Sequence, residues 1–128
     1  MKYNLSEAEY EIMQFIWENG NNTSFSDVME YTHKKGHTWK KQTVQTFLTR
    51  LIDKKVLKAE KIGNKRYYSP VGTEAEHIHN WTHDLLDIDF GGSLKNFMLA
   101  FTGGKSLSEA EAKELHEFRD EEMKGKRF

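Results

Sequence analysis

The chain has no cysteine among its 128 residues. That absence excludes a disulfide framework, a thiolate metal site and a cysteine nucleophile together, and it fits a reducing compartment. Long apolar runs are missing as well. The longest, Phe97 to Phe101, has five residues, whereas a membrane-spanning helix needs about twenty. The opening MKYNLSEAEYE carries no apolar signal core. The expectation is a cytoplasmic protein with no membrane association. There is no nucleophile elbow and no phosphate-cradling glycine loop, and a single small unit leaves little room for a reaction cleft. No enzymatic role and no cofactor are expected.

Net charge is nearly absent too, at −1, but its distribution is uneven. Residues 1–33 carry one lysine against six acids, a balance of −5. Residues 34–68 carry eleven Lys or Arg against two acids, a balance of +9. Residues 69–128 carry seven bases against twelve acids, again −5. A basic segment between acidic flanks is a footprint of a nucleic-acid site. On charge alone, a solvated basic face without a partner explains it equally well.

Helix signals organise the first half. Ser6 and Glu9 form a capping box, with Leu5 as a staple outside it, and Ala8, Ile12, Met13, Ile16 and Trp17 recur at helical spacing until Asn19-Gly20. Ser24 and Asp27 open a second helix whose stripe is Phe25, Val28, Met29 and Thr32, stopped by Gly36. In the third, Val44, Phe47, Leu48, Leu51 and Ile52 fall at i, i+3, i+4, i+7 and i+8, a core stripe. At 100° per residue the opposite face is Gln42, Thr46, Thr49 and Arg50, flanked by Thr43 and Gln45. Lysines bracket that face: Lys40 and Lys41 before it, Lys54, Lys55 and Lys58 after it. Two strand-like runs, 57–62 and 65–69, follow around a Gly63-Asn64 turn and close at Pro70, the only proline. Three helices and a basic hairpin predict a winged helix-turn-helix over residues 1–71.

Residues 72–128 predict a helical region of different character. Thr73 with Glu76 and Ser108 with Glu111 are further capping pairs, and Gly91-Gly92 and Gly103-Gly104 break the chain. The apolar stripes comprise Ile78, Trp81, Leu85, Leu94, Phe97, Met98, Phe101, Leu115 and Phe118. Three short helices have few internal contacts to offer such side chains. A second copy of the chain is the simplest cover; packing back on the winged unit is the alternative. The fold class is thus mainly α with a small β-hairpin wing, followed by a helical dimerisation tail.

The basic segment separates two kinds of work on double-stranded DNA. Gln and Arg make paired hydrogen bonds to base edges, and a Thr methyl packs on a thymine methyl. Lysine neutralises phosphate, which gives affinity without sequence information. Gln42, Thr43, Thr46 and Arg50 are the candidate base readers, and Lys40, Lys41, Lys54, Lys65 and Arg66 the candidate phosphate contacts. His79 and His83, at i and i+4, are weak candidates for a metal site. A metal-responsive repressor built on them, and a winged-helix protein-interaction module that leaves DNA alone, are the alternatives.

Several strings together resemble one family. LSEAEYEIMQFIWENG, the W-x-x-x-TVQTFLTRLIDKKVL helix, the RYYSP hairpin end, GGSLKNFMLAF and LSEAEAKEL are similar to the penicillinase-repressor family of the BlaI, MecI and CopY type. The resemblance implies a homodimeric repressor that brings one winged helix to each half of a TACA/TGTA dyad operator, with Thr43 and Thr46 in the recognition surface. It also implies possible control by a sensor-protease system that cuts an Asn–Phe bond in the tail. The aligned bond here is Ala100-Phe101, where the Asn is missing, and a literal Asn96-Phe97 lies one helical turn earlier. The thiolates that serve copper-responsive members are absent.

Overall fold

A computed structural model describes residues 1–125. In chain order the elements are α1 (Glu7–Asn19), β1 (Thr23–Ser24), α2 (Phe25–Lys34), α3 (Lys41–Asp53), β2 (Leu57–Ile62), β3 (Lys65–Pro70), α4 (Glu74–Phe90), α5 (Leu94–Thr102) and α6 (Glu109–Gly125). The chain forms two compact units, Met1–Asp84 and Leu85–Phe128. This division lies within α4, later than the boundary after residue 71 expected from sequence. The last three residues of the expected second domain lie outside the described ones.

The caps form as the sequence predicts. Ser6 Oγ accepts from Glu9 N at 3.2 Å while Glu9 Oε1 accepts from Ser6 N at 2.8 Å. Ser24 and Asp27 repeat the arrangement at α2, and Ser108 and Glu111 at α6. Such a cap is worth about 1 kcal/mol. Thr73 differs in part: its hydroxyl accepts from Glu76 N, but the Glu76 carboxylate meets that hydroxyl rather than the Thr73 amide.

Strands β2 and β3 pair antiparallel from Leu57↔Pro70 to Ile62↔Lys65. At the turn Gly63 has φ +64°, a conformation that a Cβ disfavours. The sheet has a third member that the sequence reading did not include. Thr23 and Ser24 pair with Tyr68 and Tyr67, giving the order β1-β3-β2. A two-residue strand is too short to show alternation, and residues 21–23 read as a polar connection.

The core lies between α1, α2, α3 and the sheet. It contains Leu5, Tyr10, Ile12, Met13, Ile16, Val28, Val44, Leu48, Leu51, Val56, Leu57 and Tyr68, with Phe47, Ile52 and Trp39 packed half-buried against it. The first turns of α4 also belong to this unit. Tyr10 donates to Glu74 Oε2 at 2.8 Å, Trp17 Nε1 donates to Gly72 O at 3.1 Å, and His77 Nε2 lies 2.9 Å from Tyr3 O. Trp81 sets its edge against the Tyr3 ring, centroids 5.4 Å apart.

The second unit has a different character. None of its described residues is buried. Phe90 and Phe97 meet edge to face at 5.4 Å. Ile88, Leu94, Leu99, Phe101, Leu115, Phe118 and Met123 are about half exposed or more.

Burial, then the Glu74 carboxylate, push the Tyr10 phenol up to about 12. An unfolded tyrosine titrates near about 10. Below that pH both states hold the proton and the contribution of Tyr10 is fully present. Between roughly pH 10 and 12 the unfolded chain loses its proton first, so stability falls. Urea unfolding followed across this range should show a steeper alkaline loss for the wild type than for Tyr10→Phe; equal slopes would refute the assignment.

Candidate nucleic-acid interface

The face of α3 turned away from the core is open. Gln42, Thr43, Thr46, Thr49 and Arg50 are all exposed, while Val44, Leu48 and Leu51 on the other side are fully buried. Gln45 is half-buried, with its amide toward Tyr68. Thr46 Oγ1 donates to Gln42 O at 2.9 Å. Its hydroxyl proton is thereby committed within the helix, and its methyl is left without a polar engagement.

The N-terminus of α3 lacks what α1 and α2 have. Lys40 occupies the cap position without a side-chain hydrogen bond, and the first turn holds no acid. Forgoing a cap costs roughly 0.5–2 kcal/mol, and cations there oppose the helix dipole. The same features leave free N–H groups beside two exposed lysines, Lys40 and Lys41, a favourable place for a phosphate. At the wing, Lys65 and Arg66 are exposed and share a shallow cleft with Ser24, Phe25, Ser26 and Asp27 at the start of α2.

Two polar clasps, both from α1, hold α3 at its ends. Before the helix, His37 Nε2 lies 2.7 Å from Glu11 Oε2. The His37 ring stacks on Trp39 at 3.7 Å, and Trp39 meets Phe47 of α3 edge-on at 5.0 Å. After the helix, Lys54 Nζ donates to Glu9 Oε1 at 2.9 Å and to Asn4 O at 2.7 Å.

Lys54 therefore has a different occupation from the phosphate contact expected of it. The Glu9 carboxylate is only 2% exposed, and a buried carboxylate without a cation is costly. Lys54 is drawn to it rather than to solvent. Burial opposes ionisation of Glu9, but the bonds from Lys54 and Ser6 outweigh it and lower its pKa. Neither clasp was found from the sequence. Glu9 had already been accounted for by its capping box, and a partner 45 residues away leaves no local pattern.

The tail candidates fall on separate elements. Ile78 and Trp81 are half-buried within the first unit. In the second unit Leu85, Phe97 and Met98 are half-buried, and Leu94, Phe101, Leu115 and Phe118 are exposed. The Ala100-Phe101 bond lies within α5, with both residues exposed. His79 and His83 are exposed neighbours, ring centroids 4.8 Å apart. Among the described residues no three metal-binding side chains gather there or elsewhere, and no helix is long and apolar enough to cross a membrane.

A family model described as "Penicillinase repressor" matches residues 5–121. The chain belongs to the penicillinase repressor family. It is 32% identical over 123 residues to the penicillinase repressor of Bacillus licheniformis, covering 96% of this chain and 94% of that one. The methicillin resistance regulatory protein MecI of Staphylococcus aureus (strain N315) is 29% identical over 115 residues, covering 88% and 90%. Among solved structures, the DNA-binding domain of the repressor BlaI in solution is similar at a TM-score of 0.50 and 33% identity, over 59% of this chain and 90% of that one. This penicillinase-repressor family member shares the winged-helix fold of the BlaI DNA-binding domain, and its relatives are named as a penicillinase repressor and a methicillin resistance regulatory protein.

Base readers and phosphate contacts give different readouts. Arg50→Ala should cost about 1–3 kcal/mol on a preferred site and relax sequence preference. Lys41→Ala should weaken all DNAs alike and lower the salt slope by about one per protomer. Anisotropy titrations of matched and scrambled duplexes separate the two, and identical effects would remove the division of labour.

Proposed function

We propose that the chain is a homodimeric transcriptional repressor that reads a TACA/TGTA dyad with α3 and grips the flanking backbone with its wing. The observation that carries this reading is the exposed Gln42, Thr43, Thr46 and Arg50 face, set between exposed Lys40 and Lys41 at one end and the Lys65-Arg66 wing beyond. Gln42 and Arg50 supply bidentate groups, and Thr43 and Thr46 supply methyls for the thymines of such a site. Four free cations per protomer give about eight phosphate contacts in a dimer, and thus a log–log salt slope near −7. Titration of a TACA/TGTA duplex and a scrambled duplex from low to moderate salt tests the proposal. A steep slope with preference for the dyad is expected; binding indifferent to both salt and sequence would sink it.

The second unit supports the dimer. Its apolar side chains are left exposed or half-buried in a single chain, and full burial of an exposed one is worth about 1.5–3 kcal/mol. Covering most of the seven on each of two copies outweighs an association cost of roughly 4–15 kcal/mol. The interface in this reading comprises Leu85, Leu94, Phe97, Met98, Phe101, Leu115 and Phe118. Light scattering should return twice the monomer mass for the whole chain and the monomer mass for residues 1–84. A dimeric 1–84 fragment would place the interface in the winged unit.

A further inference from the structure

We propose that Lys54 and Glu9 are a positioning pair that sets the angle of the reading helix, and that Lys54 acts on sequence preference without touching DNA. This rests on the DNA-binding reading above and deepens it. Lys54 caps the C-terminus of α3, and its backbone N–H donates to Arg50 O at 2.9 Å. Its position is thus tied directly to that of a base reader. Its ammonium reaches the other way, to Glu9 Oε1 and to Asn4 O. Three segments meet at this one nitrogen: the end of α3, the start of α1 and the turn before α1.

The surroundings show how firmly the point is held. Lys55, next in the chain, has φ +63°, and Tyr3 and Asn4 have φ +50° and +68°. Non-glycine residues persist in that region only where their surroundings over-determine them. Glu9 Oε2 is buried without a hydrogen-bond partner, so the carboxylate depends on the bonds its other oxygen makes, including that from Lys54. Removing the ammonium leaves a buried, uncompensated charge. The carboxylate can then recover solvent only if the end of α3 or the start of α1 moves. The apolar stripe resists rotation of α3 but is non-directional along the axis. The hydrogen bonds at Lys54 have direction and fix what the stripe does not.

The test compares Lys54→Met, Lys54→Arg and Glu9→Leu with Lys41→Ala, each titrated on dyad and scrambled duplexes across a salt series. Thermal unfolding establishes that each variant is folded at the assay temperature. Lys54→Met and Glu9→Leu should lower the dyad-to-scrambled affinity ratio by about tenfold, the size of one lost base contact. Their salt slopes should equal that of the wild type. Lys54→Arg should keep most of the ratio. Lys41→Ala should do the reverse, keeping the ratio and losing slope. A shallower slope for Lys54→Met with the ratio intact would make Lys54 a phosphate contact and overturn the proposal. An unchanged ratio in both Lys54→Met and Glu9→Leu would overturn it too. If Lys54→Met does not fold, Glu9→Leu, which keeps the bulk and removes the oxygen that Lys54 binds, decides alone. A wild type with no preference for the dyad defeats the DNA reading itself and is seen before any variant is made.

Discussion

In the proposed complex one helix serves as core and reader at once. In its thirteen residues α3 buries Val44, Leu48 and Leu51 completely and exposes Gln42, Thr46 and Arg50. A rotation by one residue, 100°, would turn the reading face toward the core and the stripe toward water. Close packing prevents that, because interiors leave no slack for such a turn. Packing selects the tilt only within about 15–20° of a preferred crossing angle, and a displacement of about 1 Å at a base edge is enough to break a hydrogen bond. The directional contacts at the two ends, Glu11 with His37 and Glu9 with Lys54, supply the constraint that the hydrophobic stripe lacks. Both carboxylates come from α1, so the first helix of the fold aligns the third.

This division explains which parts were legible in the sequence. The three helices, their caps and the hairpin rest on contacts within a few residues, and such contacts leave periodicity and capping pairs behind. The exposed face of α3 followed from the same geometry. The clasps did not, because a lysine near the end of a basic helix looks the same in sequence whether it meets a phosphate or a buried carboxylate 45 residues away. Strand β1 was missed for a related reason. It is set by Tyr67 and Tyr68, its partners across the sheet, and not by its own two residues. The early turns of α4 join the winged unit through Tyr3, Tyr10 and Trp17, contacts of the same long-range kind.

The second unit shows what a stripe can and cannot say. Periodicity identified its apolar positions correctly as a face, since α5 carries Leu94, Phe97, Met98 and Phe101 at helical spacing. A stripe does not state which surface covers it. In a single chain the cover is incomplete: Phe97 finds Phe90 while Leu94 and Phe101 remain exposed. An ordinary soluble monomer does not leave that many large side chains uncovered on one small unit. The shortage of internal burial is therefore itself a structural property of the unit, and it has the sense expected of half an interface.

A net charge of −1 is no obstacle to binding a polyanion. At physiological salt a charge is screened beyond about 8 Å, so a phosphate responds to the groups near it and not to the sum over the chain. Among the acids near α3, Glu9 and Glu11 are held in contacts at its flanks, while Asp53 at its end is exposed. Glu9 is nearly inaccessible and paired with Lys54, and Glu11 is engaged with His37. A free carboxylate about 4 Å from a phosphate would oppose it by roughly 1 kcal/mol even in water. Directing these two inward into clasps removes that repulsion and aligns the helix in the same step. The ammonium of Lys54 is engaged in that clasp, on Glu9 and Asn4 O. Lys40, Lys41, Lys65 and Arg66 remain exposed, on the helix start and the wing, where a groove-bound α3 would bring the backbone closest.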